Sequence, residues 1–197
     1  ISAKVMAVYL QPAGYGYYGL LQSFVGLSVL LGGLGMATGL VRLGASAAAR
    51  NDESALASMR RAAGLLFAAL GGVLTLLLLI FRTTLSNWAL GSPDHGGTIL
   101  LMGLAVLFTT AGNVQIGILN AHHRVAALAK YGIVNTLVGA IIMIGSVIVW
   151  RVNGVIVGLI AAGAVTWAAS WYFLHREVGP LEVKPSPEET RKAVSAL

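Results

Sequence analysis

Cysteine is absent from the chain. Disulfides, thiolate nucleophiles and thiolate metal sites are excluded with it. Charge is scarce: Asp, Glu, Lys and Arg make up 10% of the 197 residues, against about 25% in a soluble domain. Such a chain cannot cover itself with polar surface. With 57% hydrophobic residues and a mean hydropathy of +0.82, the membrane is the class to test first. Acids are scarcer still. All seven lie in polar stretches, at Asp52, Glu53, Asp94, Glu177, Glu182, Glu188 and Glu189. No apolar run therefore holds a carboxylate, and a cavity among these runs would be neutral to cationic. It would suit an anionic substrate better than a cationic drug.

What is present is apolar length. Residues 62–81, 96–121, 131–150 and 152–174 carry no Asp, Glu, Lys or Arg over 20, 26, 20 and 23 positions, and residues 5–41 carry none over 37. A spanning helix needs roughly 20 residues at 1.5 Å each. Four runs hold one span each. The fifth holds a full span plus the end of an earlier helix, with a turn at residues 12–16 between them. The fold class is an all-α polytopic membrane bundle of about six helices. They are expected over residues 1–10, 15–49, 53–82, 97–121, 124–150 and 154–176, followed by a polar tail at 177–197. Residues 1–10 are too short to cross a bilayer and read as the end of a helix whose start is missing. They lack the basic leader and cleavage site of a signal peptide. Asn51 or Asp52 would cap the third helix, and GSPDHGG reads as an outer loop. Ser186, Pro187 and Glu189 would open a further helix in the tail.

Basic residues sort to one side. Ten of the thirteen lie in the connection after the second helix, the connection after the fourth, and the tail. Arg82 and Arg151 alone lie in the opposite connections. The positive-inside rule places the ten in the cytoplasm. The net charge of +6 is then topology and attraction to anionic lipid, not a nucleic-acid footprint. Tyr15, Tyr17, Tyr18, Trp88 and Trp150 fall at the outer interface, and Tyr131, Trp171 and Tyr172 at the inner one.

One stretch imitates a nucleotide motif. GYGYYG, at residues 14–19, fits G-x-G-x-x-G. That fingerprint needs a strand before it, a soluble helix after it and an acid about 20 residues on. Leu34 stands there instead, within an apolar run. The stretch is an outer hairpin with tyrosines in the headgroups. His122–His123 and Asp94–His95 have no ligand set or nucleophile near them in sequence, so they read as interface and loop residues. No metal, cofactor or catalytic group is expected.

Three helices carry a weakly polar stripe. Thr109, Asn113, Gly117 and Asn120 share one face of the fourth helix. Tyr131, Asn135, Gly139 and Ser146 mark the fifth, and Gly163, Thr166 and Ser170 the sixth. Such stripes serve either hydrogen bonding between helices or a water-accessible cavity. Lys4 lies eight residues before Pro12, roughly 12 Å along a helix. It is either a pathway residue or a lysine whose stem reaches the headgroups.

KVMAVYLQPAGYGYYGLLQSF, LGGLGMATGLVRLGA, NDESALASMRR, LGSPDH and GNVQIGILNAHHR, in that order, resemble the first lobe of Wzx-type polysaccharide flippases of the MATE-like exporter superfamily. The subgroup most similar is the O-antigen or enterobacterial-common-antigen type. Gln11 stands where that family usually has Gly before the Pro-x-Gly turn. The resemblance implies a non-enzymatic carrier of two six-helix bundles in a bacterial inner membrane, of which this chain supplies one. It implies translocation of an undecaprenyl-diphosphate-linked oligosaccharide by alternating access. Partners would be that lipid-linked sugar, membrane lipids, the second lobe and polysaccharide polymerase machinery. On this reading Lys4 is the first candidate for the diphosphate, with Arg42 and Arg124 behind it, both also explained as topology determinants. Asn113, Asn120 and Asn135 would meet the sugars. A same-fold drug/cation antiporter and a non-transporting scaffold of polysaccharide assembly are the alternatives.

Overall fold

The computed structural model describes residues 2–33, 53–90, 96–122 and 124–178. Among them there is no strand. Helices are what lipid requires, because each backbone group must find its partner within the segment. The elements are α1 (Ser2–Gly33), α2 (Glu53–Ile80), α3 (Arg82–Leu90), α4 (Gly96–Ala121) and α5 (Val125–Val178). Three stretches are long and apolar enough to cross a membrane: Ala57–Ile80, Gly96–Ala121 and Val125–Val178. The expected cap of the third helix, residues 91–95 of the GSPDHGG stretch and the tail helix lie outside the described residues; Gly96 and Gly97, expected in the loop, open α4.

α5 has 54 residues. Straight, it would measure about 81 Å, far beyond a hydrocarbon core of about 30 Å. It folds back instead at Arg151, where φ is 51° and ψ −123°. A Cβ added to Gly158 would meet Met143 Sδ at 2.5 Å and Ser146 Cβ at 3.5 Å. Thr166 bonds Asn135, 31 residues earlier. These pairs converge on residue 151, so arms 125–150 and 152–178 run antiparallel, and each is long enough to span.

α1 breaks likewise, at Gln11 (φ 59°, ψ 172°). Leu10 Cβ lies 3.1 Å from where a Gly14 Cβ would sit. Met6, Leu10 and Leu21 share one core cluster with Tyr17, Tyr18 and Phe24 packed against it. Proline biases the residue before it away from helix and is itself welcome at the first helical position. The reversal therefore falls on Gln11, one residue ahead of the expected turn, and helix resumes at Pro12. GYGYYG lies wholly within that helix. Only Tyr15 of its tyrosines is exposed; Tyr17 and Tyr18 are half-buried in core packing rather than anchored outside.

Gln11's dihedrals belong to a region that is essentially glycine's, at a cost of order 1–3 kcal/mol. Gln11→Gly should raise stability by about 1 kcal/mol, the relief exceeding glycine's entropic cost. Thermal melting of the purified protein checks this. Gln11→Ala keeps the strain and should show no gain; a Gly variant that melts no higher would refute the strain.

Residues 83–90, expected as connection beyond the helix at 53–82, belong to α3. The helical ladder carries across the bend: Phe81 N–H donates to Leu77 O at 2.9 Å and Leu85 N–H to Phe81 O at 2.8 Å. α3 is thus a turned continuation of α2.

Two apolar clusters mark the two ends. Met6, Leu10, Leu21, Met102, Met143, Val147 and Val155 form one. Met59, Ala63, Val114, Ile118, Ala121 and Leu174 form the other. α4 runs through both and is the most enclosed span. α2 crosses it antiparallel: a Cβ added to Gly71 would meet Leu107 Cδ2 at 3.2 Å, and one added to Gly103 would meet Leu78 Cδ1 at 3.1 Å. The second arm of α5 runs parallel to it, with Gly112 against Thr166 and Gln115 against Ser170. Arg60, Arg61, Arg124, Lys130 and Arg176 therefore gather at the end holding Met59 and Leu174, and Arg82 and Arg151 at the other. The two reversals meet: Val152 Cγ2 lies 3.3 Å from a Cβ added to Gly14.

Candidate functional site

Between the end clusters the helices touch through glycines and small polar residues. At Gly112 the backbone of α4 lies against Thr166; an added Cβ would meet Thr166 Cγ2 at 2.7 Å and its backbone C and O at 3.1 Å. At Gly163 the second arm of α5 lies against Ala105 and Thr109; an added Cβ would meet Ala105 O at 3.0 Å and Thr109 Oγ1 at 3.1 Å. Such small residues let backbones approach closely where no hydrophobic force drives association. Polar side chains then bridge the seam. The Thr166 hydroxyl lies 3.1 Å from Asn135 Oδ1 and 3.0 Å from Ala162 O, and its single proton serves one or the other. Tyr131 reaches the same threonine. Ser170 Oγ donates to Gln115 Oε1 at 2.6 Å, with Trp167 O at 2.9 Å as its alternative. Thr109 and Thr110 bond back to Ala105 O and Val106 O. Among the described residues no buried side-chain polar atom lacks a partner.

For Asn135, Thr166 and Ser170 the interhelical reading of the stripes is therefore the one realised. A bridge of this kind between spanning helices contributes about 0.6 kcal/mol. A double-mutant cycle with Asn135→Ala and Thr166→Val should return about that coupling in melting experiments. A coupling indistinguishable from zero would mean the bond is not formed.

The residues singled out from sequence are dispersed. Lys4 is exposed on the first arm of α1. Met6 and Leu10, two and six positions on, are buried, so Lys4 turns away from this bundle's own core. Arg42 lies outside the described residues. Asn113 is half-buried on α4, while Asn120 near its end and Arg124 beyond it are exposed. Asn135 joins Thr166, which lies against Gly112 next to Asn113. Gln115 was not among the expected residues. It sits two positions from Asn113, on nearly the opposite face of α4, so a stripe drawn through Asn113 misses it. The signal was Gly112-x-x-Gln115, matching Gly163-x-x-Thr166-x-x-x-Ser170 on the helix it packs against.

The fold and this seam define a multi-pass helical membrane protein. The chain matches the family described as Polysaccharide biosynthesis protein over residues 3–196. It belongs to that family, whose members are generally transporters rather than enzymes. No curated protein matches the chain, and no solved structure does.

Proposed function

We propose that this chain is the first lobe of a flippase that moves an undecaprenyl-diphosphate-linked oligosaccharide of O-antigen type across a bacterial inner membrane. The observation that carries the proposal is the family match over residues 3–196 on a bundle of spanning helices. Two further features agree with it. The apolar runs contain no carboxylate, so nothing in them repels a diphosphate. Lys4 points its ammonium outward from the bundle, and a charge at that depth is costly unless it faces a polar cavity. In a two-lobed carrier that cavity lies between rocking bundles. The end rich in Arg and Lys is cytoplasmic by the positive-inside rule. Lys4 then receives the diphosphate, and exposed Asn120 and Arg124 stand near the inner mouth.

The test is a flipping assay with the full-length protein in liposomes carrying a fluorescent undecaprenyl-diphosphate-linked oligosaccharide. Protein-dependent loss of the label's protection is expected. Lys4→Ala should slow it about tenfold, the worth of one charge-assisted hydrogen bond, while Lys4→Arg keeps most of the rate. A full-length protein that moves no lipid-linked sugar would overturn the reading. An unchanged rate in Lys4→Ala would remove Lys4 from the path.

A further inference from the structure

At the end of α5 marked by Leu174, aromatic and basic side chains stand together on the outside. Trp171 lies against His175, their ring centroids 4.5 Å apart. Arg176 Nη1 donates to the Tyr172 hydroxyl at 3.0 Å. All four residues are exposed, Trp171 at 49% and Tyr172 at 51%. Trp171 ends a face that begins with Val157 and passes through Ile160, Ala164 and Trp167, at steps of three and four residues. Val157 and Trp167 on that face are themselves 43% and 41% exposed. The antiparallel pairing that sets Asn135 opposite Thr166 brings exposed Lys130 and Arg124 to the same end. Glu177 is the one acid anywhere in α5.

We propose that Trp171, Tyr172, His175 and Arg176 bind the phosphodiester headgroup of an anionic phospholipid, with an acyl chain lying along the face that runs from Val157 to Trp171. A guanidinium matches phosphate oxygens in a fork, and Tyr172 occupies only one of its five N–H groups. Trp171 sets an apolar body against the chain and offers its indole N–H at headgroup level. The excess of Arg and Lys over Glu177 selects an anionic headgroup over a zwitterionic one. Continuity with a partly exposed apolar face, open at Val157, Trp167 and Trp171 and half-buried at Ile160 and Ala164, favours a lipid over a soluble phosphate, since only a lipid occupies both parts. The inference rests on the chain's membrane character alone and not on the flippase reading.

Native mass spectrometry of the full-length protein in detergent, titrated with phosphatidylglycerol or phosphatidylethanolamine, tests it. Phosphatidylglycerol should bind more tightly. Arg176→Gln should weaken its tightest binding about fivefold, the usual worth of one basic group at an anionic surface. Trp171→Ala should weaken both lipids, and Arg151→Gln, at the opposite end of the hairpin, should change neither. Arg176 is exposed, so its replacement should leave the melting temperature unaltered and the comparison valid. Unchanged phosphatidylglycerol binding in Arg176→Gln overturns the proposal, as does equal binding of phosphatidylethanolamine by the native protein. Displacement of phosphatidylglycerol by an equal concentration of glycerol phosphate overturns it too, by showing a soluble-anion site.

Discussion

Gly154→Ala should cost the protein its folded bundle. A methyl at this position would overlap the carbonyl oxygen of Ser146, and would lie 2.5 Å from that residue's carbonyl carbon and 3.0 Å from Val147 Cα. These are backbone atoms of the facing arm, so no rotamer change relieves the overlap. The arms of α5 must part instead. Parting them loosens Gly158 from Met143 and Thr166 from Asn135. Overpacking typically costs 1–3 kcal/mol where side chains can yield; here about 3 kcal/mol or more is expected. Melting temperature and monodisperse yield from the membrane fraction should both fall sharply. Gly139 and Gly145 supply the comparison, because an added Cβ there meets nothing within 4 Å. Alanine at either should be neutral or gain up to about 1 kcal/mol of helix propensity. If Gly154→Ala melts with Gly139→Ala, the hairpin is not as close as described.

The second large effect is expected at Gly112. Its neighbour is partly flexible and partly not: the Thr166 methyl at 2.7 Å can be removed, while the Thr166 backbone at 3.1 Å cannot. Gly112→Ala should destabilise by about 1–3 kcal/mol. Gly112→Val, with two further methyls in the same seam, should cost more. Thr166→Ser deletes only the obstructing methyl and keeps the hydroxyl that faces Asn135. The double variant Gly112→Ala/Thr166→Ser should therefore recover part of the loss, a non-additivity of about 0.5 kcal/mol or more. Strict additivity in melting experiments would place the two residues out of contact.

How far the sequence led depends on which signal a feature leaves. Apolar runs free of charge announce helices in lipid, because one unpaired charge in such a run is costly. The reversal at Arg151 falls in the short connection expected between the helices at 124–150 and 154–176. Its closeness was not legible, since nothing in Gly154 alone says that Ser146 lies beneath it. The α1 break was placed across residues 12–16, where Gly and Pro cluster, yet one unfavourable residue, Gln11, carries it. α3 was missed because RTTLSNWAL is neither apolar enough to span nor rich in turn residues. At the seam, periodicity on one helix identifies a face but not the face that meets a neighbour. Gln115 thus became visible only once α4 and α5 lay side by side, whereas Thr166 and Ser170 already stood on the sixth helix's stripe, with its role left open between helix contact and cavity. Lys4 was conspicuous from sequence for its charge alone, and the structure adds the side on which it stands.

The meeting of the two reversals has a mechanical consequence. Gly14, just past the bend in α1, lies against Val152, just past the bend in α5. Both bends hang on single residues at positive φ, Gln11 and Arg151. Because Gly14 stands on the second arm of α1, this contact ties that arm to the α5 hairpin, while Met6 and Leu10 tie the first arm to the same apolar cluster as Met143, Val147 and Val155. At that end the four arms must travel together, like the clamped end of a tuning fork, and any relative play among them is confined to the opposite tips.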